Sequence, residues 1–395
     1  MITTAVIPVE GGIHQVDAEE VLATYRDALL TRLSGPDAPR DLSRRLHGAF
    51  QAMRENLDPQ RTLQEVFSDC LEGGALSLGG GLKRADDEIQ ANGLDPSPQP
   101  SAHQAQVAQL PKEARLAGFE VVLAASPLLP EALSRRRLEH AGLGGNSGHT
   151  YIGSRETLHF SEPHPERLVE LLGLLGRTAA EIVIFSSDVA GDLEPARTLG
   201  IHTFHLGSER SNGHPGGSTS DAVIWLHELQ AEPEIAPSAD PRAVLARLRG
   251  HLAALLGLTR ALDVKQWKLR PEPDAWAPVE IVCHLRDVEL EVNLPRYWAL
   301  LTEERPFVSA VESDHWAAER AYIEQAPDEA LAAFARARRE SLSILGSIRA
   351  IEWQRQARHA LLGPTSLAEL GGVSADHDRI HLAQLRSAIG VFTPL

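Results

Sequence analysis

The sequence predicts an α/β domain followed by an all-helical domain. Short apolar runs rich in β-branched residues alternate with helical patterns over the first 230 residues, and everything beyond about residue 241 reads as helix. Between these stretches the composition shifts at AEPEIAPSADP, which has the proline and alanine content of a linker. A length of 395 residues suits two domains, and an apolar fraction of 43% is enough for two ordinary cores.

The runs Ile2 to Val9, Glu120 to Ser126, Glu181 to Ser187, His202 to Leu206 and Ala222 to Leu226 have the composition of buried strands. Helical patterns at Pro130 to Ala141, Pro165 to Leu175 and Leu193 to Leu199 lie between the later runs, so parallel strands with crossover helices are expected. After the first strand, Ala18 to Leu33, Leu42 to Glu55 and Thr62 to Leu78 carry leucine and alanine at helical spacing. These predict a helical cap over about residues 17–90, sitting above the carboxyl ends of the strands. Residues 91–112, with NGLDPSPQPSAHQAQ, are too polar and proline-rich to order themselves and are expected to form a loop.

The expected boundaries are 1–230 for the α/β domain, 231–241 for the linker and 242–395 for the helical domain. Asp240 and Pro241 supply an N-cap and a first-turn proline for a helix running to about Leu262. Pro278 with Glu280 opens a second helix, through His284 to about Leu301; a third covers Ala330 to Ile348, and a fourth runs from about Val373 to Ile389. Four long helices in this span predict a four-helix bundle, whose interior is a common place for a metal site.

Charge and cysteine content narrow the function. Lys and Arg total 38 against 54 Asp and Glu, a formal charge of −16, which argues against binding nucleic acid or an anionic membrane. No run of about 18 apolar residues occurs, and MITTAVIPVEGG lacks the features of a signal peptide, so a cytoplasmic protein is expected. Cys70 and Cys283 alone cannot build a disulfide framework or a cysteine-cluster metal site, which leaves histidine and carboxylate as ligands.

His377 and His381, in SADHDRIHLAQL, are spaced i and i+4 and project from one face of one helix. His284, in EIVCHLRDVE on the second bundle helix, could come opposite them. Three neutral imidazoles would leave an open position on zinc, nickel, iron or manganese. The spacing alone is met more simply by helix-surface or hydrogen-bonded core histidines. Asp287 and Glu289 follow His284 and could orient a ligand ring or accept a proton; the alternative is solvation or pairing with Arg286 or Arg296. Asp378 and Arg379 are expected on an ion-pairing face, Trp276, Trp298 and Trp316 in the core, with a pocket-lining role open for Trp316, and Cys283 buried and inert.

The stretch from Ala243 to Ile389 resembles the DinB-like superfamily of metal-binding four-helix bundles. The resemblance is carried by Trp267, RPEPDAWAPVEIVCHLRDVE from Arg270, Arg296, DHWAAERAY from Asp314, the arginine-rich helix around Arg338, and LLGPTSLAELGGVSADHDRIHLAQL. It implies a divalent metal on His284, His377 and His381. It implies either transfer of a low-molecular-weight thiol to a small-molecule electrophile or metal-assisted hydrolysis.

Residues 1–230 resemble the haloacid dehalogenase superfamily, with its Rossmann-like core and helical cap. The carrying segments are VVLAASPLLPEAL, with Ser126 at a strand end, EPHPERL from Glu162, and IVIFSSDVAGDLEPARTLGIHTFHL with Asp188 and Asp192. In that family an aspartate ending the first strand attacks substrate and helps hold magnesium. Here AVIPVEGGI puts Pro8 at the nucleophile position and Glu10 at the acid/base position, while Glu162 replaces a lysine. Phosphatase or dehalogenase chemistry is therefore not expected, and magnesium is doubtful although Asp188 and Asp192 remain. The alternative expectation is a noncatalytic metabolite sensor or stress-related protein whose bundle mediates homodimerisation.

Overall fold

The computed structural model describes residues 2–13, 18–34, 40–72, 79–92, 109–144, 150–207, 213–229 and 239–390. The chain divides into two compact units, one of residues 1–167 with 179–236, the other of residues 168–178 with 237–395.

In the first unit β1 (Thr4–Pro8) is followed by the helices α1 (Ala18–Leu33), α2 (Leu42–Glu55), α3 (Leu63–Glu72) and α4 (Gly79–Asn92). Then come α5 (Leu110–Leu116), β2 (Glu120–Ala124), α6 (Glu131–His140), β3 (Thr150–Ile152), α7 (Pro165–Leu175, counted with the second unit from Leu168 on), β4 (Ile182–Ser186), α8 (Glu194–Thr198), β5 (His202–Leu206), β6 (Gly216–Gly217) and α9 (Thr219–Leu229). The strands form one sheet in the order β3-β2-β1-β4-β5-β6, and every pairing is parallel. Both faces of such a sheet are covered by crossover helices, so the strands read as unbroken apolar runs. Tyr25, Leu46, Met53 and Phe67 of α1 to α3 share a separate core with Leu128, Leu129 and Leu133, which follow β2. The helical insertion is thus seated at the carboxyl end of that strand.

Ala222 to Leu226 is not a strand; it lies inside α9. Ala222, Leu226 and Leu229 are the buried residues, an i, i+4, i+7 face, and Ser218 and Asp221 cap one another's backbone N–H groups at 2.8 and 3.3 Å. Of the expected loop 91–112, residues 93–108 lie outside the described residues, and its end already belongs to α5. Most of the expected linker, residues 231–238, also lies outside them.

The second unit is built on α10 (Pro241–Thr259), α12 (Pro278–Val288) running through a π-type turn at Glu289–Asn293 into α13 (Leu294–Thr302), α15 (Pro327–Ser347) and α16 (Leu367–Gly390), with the short helices α11 (Val264–Trp267) and α14 (Trp316–Glu319) between. Asp240 Oδ1 accepts from Arg242 N at 2.7 Å and starts α10. α12 packs on α15 and α16, and α10 packs on the same two helices.

The second unit is not wholly helical. β7 (Phe307–Val308), β8 (Gln356–His359) and β9 (Gly363–Ser366) form a small sheet in which β7 pairs with β8 in parallel and β8 pairs with β9 antiparallel. α16 also begins at Leu367, not near Val373. Glu369 Oε2 accepts from Ser366 N at 2.7 Å and Ser366 Oγ accepts from Glu369 N at 3.2 Å, a capping box that fixes the start.

Gly371 lets α16 approach α10 closely. A Cβ there would lie 2.7 Å from Val244 Cγ1 and 3.6 Å from Trp353 Cζ3. Gly371→Ala should overpack this contact and cost about 1–3 kcal/mol, read as a lower urea midpoint at unchanged slope; equal or greater stability would show that the helices can separate freely.

Candidate functional site

His284 projects from the middle of α12, while His377 and His381 lie one turn apart on α16. The start of α12 is fixed by Glu280, whose Oε2 accepts from Ala277 N at 2.8 Å while both carboxylate oxygens accept from Arg270. Packing of α12 on α16 brings the three imidazoles together, with one ring nitrogen from each within 4.8 Å of the others. His377 Nε2 stands 3.1 Å from His284 Nε2 and 3.1 Å from His381 Nε2. Three nitrogens about 2.05 Å from one tetrahedral ion would be about 3.3 Å apart. The observed spacing suits a single divalent cation, and the donor set suits a transition metal.

The rings are in the protonation state a ligand needs. Burial pushes His284 down to about 3 and His377 and His381 each to about 4; the neighbouring rings add to this for His284 and His381, and the Arg338 charge adds to it for His377. His381 Nδ1 donates to Gln384 Oε1 at 2.8 Å, which places its proton away from the centre and turns the Nε2 lone pair inward. Trp276 stacks on His381 with centroids 5.7 Å apart and planes 7° apart, and its ring lies 4.9 Å from that of His284.

Behind the histidines lies a buried charge cluster. Glu289 is not solvated, and its partner is Arg338, neither Arg286 nor Arg296. Arg338 Nε and Nη2 donate to the two Glu289 oxygens at 2.9 Å each. Nη1 and Nη2 donate to Asp378 at 2.5 and 3.1 Å, and Nη1 also to Leu248 O at 3.3 Å. All five guanidinium donors are thereby used. Glu289 also accepts from Asn293 and from Ser341, and although burial acts the other way, the Arg338 charge and these hydrogen bonds hold its carboxyl below the usual range. Asp378 is buried in this cluster and not on an outer ion-pairing face; Arg379 does pair outside, with Asp376. Asp287 pairs with Arg286 and Arg320 and accepts from Tyr322 Oη at 2.7 Å.

Among the tryptophans, Trp316 is buried, Trp276 is half-buried at the histidines, and Trp298 is exposed rather than in the core. Burial pushes the Cys283 thiol up to about 11, and its Sγ faces Gln325 instead of the histidines.

In the first unit Pro8 ends β1, Ser126 follows β2, and Asp188 and Asp192 follow β4. Glu10 Oε2 accepts from Ser126 N at 2.8 Å and Oε1 pairs with Arg137. Asp188 Oδ1 caps Gly191 N at 2.8 Å. Asp192 pairs with Arg167 and accepts from Ser186 Oγ at 2.7 Å, and Glu162 Oε2 lies 4.0 Å from Arg167 Nε.

Residues 247–385 match the family model of the DinB superfamily. The matched span contains all three histidines of this DinB-like unit. YfiT from Bacillus subtilis, described as a probable metal-dependent hydrolase with an unusual four-helix bundle topology, is 18% identical over 40% of this chain and 90% of its own, with a TM-score of 0.36. HAD phosphatase from Thermococcus onnurineus is 14% identical over 60% and 100%, TM-score 0.35, and β-phosphoglucomutase from Clostridium difficile is 13% identical over 58% and 97%, TM-score 0.37. These two cover the amino-terminal part. At such scores the likenesses add nothing to the chemistry read from the residues. No curated protein matches the sequence.

Two consequences can be measured. Arg338→Met leaves Glu289 and Asp378 buried without their cation and should cost about 3–5 kcal/mol of stability; a loss below about 1 kcal/mol in urea unfolding would mean the cluster opens to water. Separately, the histidine values lie below the unfolded value near 6.5. Between about 4 and 6.5 the unfolded chain therefore binds more protons, so chelator-treated protein should lose stability as pH falls through that window, by at most about 1.4 kcal/mol per pH unit per histidine. His284→Gln should flatten the slope; a profile unchanged by that substitution would place the titration elsewhere.

Proposed function

We propose that the DinB-like unit is a metal-dependent enzyme acting on a small molecule, with His284, His377 and His381 as the metal ligands. The observation that carries this reading is the convergence of three imidazole nitrogens, His284 and His381 buried and His377 half-buried, two of the separations being 3.1 Å. Repulsion between lone pairs at that distance is relieved by a cation, and burial without one would be costly. A divalent ion held there supplies Lewis acidity that lowers the pKa of an incoming water or thiol.

The chain's own residues set the rest of the chemistry. His381 is aimed by Gln384, Trp276 forms an apolar wall against two of the ligands, and Arg338 with Glu289 and Asp378 fixes α16 against α12 through α15. Three protein ligands leave room for a nucleophile from solution, and the only thiol near His284 in sequence, Cys283, faces away and stays protonated near neutral pH. The nucleophile is therefore external, a low-molecular-weight thiol in a transferase or water in a hydrolase. In the first unit, Pro8 offers no side-chain nucleophile and Glu10 is committed to Ser126 N and Arg137, so we assign that unit a noncatalytic role.

Elemental analysis of purified protein should give about one transition-metal ion per chain, lost in His377→Ala and in His381→Ala. Stoichiometric metal retained in both variants would remove the three-histidine site. With loaded protein, mass spectrometry of a model electrophile incubated with glutathione, bacillithiol or mycothiol should reveal a thiol adduct if the enzyme is a transferase. Hydrolysed electrophile with no adduct would assign water as the nucleophile, and no conversion at all would leave a binding protein.

A further inference from the structure

The carboxyl end of the first unit's sheet holds the carboxylates that, in the family it resembles, would accompany a magnesium ion. At least one oxygen of each is already taken. Asp192 has one oxygen on the Arg167 guanidinium and the other on Ser186 Oγ at 2.7 Å. Asp188 Oδ1 receives Gly191 N, and the Asp188 backbone N–H donates to the same Ser186 Oγ at 3.0 Å, which locks the turn after β4. Glu10, after β1, has one oxygen on Ser126 N and the other on Arg137. Pro8 has no side-chain oxygen to offer. A magnesium ion demands near-octahedral oxygen ligation at about 2.0–2.1 Å, and here the acidic groups that could begin such a shell are each turned toward a donor.

Arg167 supplies the positive charge that Asp192 would otherwise have to take from an ion. It enters from the first turn of α7, is almost wholly buried, and sets Nη2 on Asp192 while Nε faces Glu162 Oε2 at 4.0 Å. Burial pushes Asp192 up to about 6 against the pull of Arg167, so that carboxylate depends on a nearby positive charge to stay ionised. A second cation beside the guanidinium would face direct repulsion at short range in a dry site.

We propose that Arg167 is the resident cation at the carboxyl end of this sheet, standing where a divalent metal ion would be, and that the site takes no magnesium. The full-length protein is tested by thermal unfolding with and without about 10 mM magnesium chloride. Wild type and Asp192→Asn should show the same response to magnesium; a larger magnesium-dependent rise in wild type overturns the proposal. Arg167→Ser should vacate the cation's place and gain a response. A new site with a dissociation constant of about 1 mM would weight the folded state about elevenfold at about 10 mM ligand, and no gain would show that Arg167 does not fill a cation's place. If Arg167→Ser does not accumulate folded, the double variant Arg167→Ser with Asp192→Asn should restore folded protein by removing the stranded charge. Failure of the double variant to fold overturns the charge-compensating role.

Discussion

A guanidinium with no exposed surface ties the two ligand-bearing helices of the DinB-like unit to a third. Arg338 on α15 grips Glu289 at the end of α12 and Asp378 in the middle of α16. Asp378 is the residue after His377, and Glu289 lies five positions beyond His284, so a shift of Arg338 would move both sides of the histidine cluster. Taking three charges out of water is expensive, and an incomplete cluster would be worse than an apolar core. The complete use of all five donors explains why this one is tolerated. The π-type turn at Glu289 belongs to the same constraint, because it holds the Glu289 carboxylate in reach of Arg338, Ser341 and Asn293 together.

Patterns that repeat along the chain were readable in it. The long helices announced themselves by apolar spacing, and β1, β2, β4 and β5 by compact β-branched runs, since a buried parallel strand needs side chains that pack on both faces. The histidine pair was readable for the same reason: i and i+4 on a helix is a local geometry. Ala222 to Leu226 misled because five apolar residues in a row fit a strand as well as a buried helix, and the Ser218 and Asp221 cap was the signal that distinguishes them. The Ser366 and Glu369 cap would likewise have placed the start of α16. β7 to β9 are short and draw their stability from pairing across distant sequence, which leaves no periodic trace.

The charged clusters were the least legible features. Glu289, Asp378 and Arg338 look like surface residues in the sequence, because a charge is buried only where its counterion arrives from another segment, here 49 and 40 positions away. The same holds in the first unit, where Arg137 reaches Glu10 across 127 positions. Arg137, Arg155 and Arg338 are among the largest fully buried side chains described, and each is paired with a carboxylate. Arginine suits this use because its charge persists at any ordinary pH and its planar fork satisfies two carboxylate oxygens at once.

Charge balance distinguishes the chemistry open to the two units. In the first, Arg137 answers Glu10 and Arg167 answers Asp192, so two of the carboxylates at the sheet's end are each held by a guanidinium. In the second, one guanidinium faces two carboxylates; burial pushes Asp378 up and Arg338 opposes this, and with both carboxylates ionised one negative charge is in excess. That excess lies beside three imidazoles that carry no charge of their own. A divalent cation among them would be compensated only in part, and the remaining positive charge would favour an anion as the next ligand. Thiolate and hydroxide meet that demand better than the neutral thiol or water from which they form, and this ties the buried cluster behind the histidines to the kind of nucleophile the site would activate.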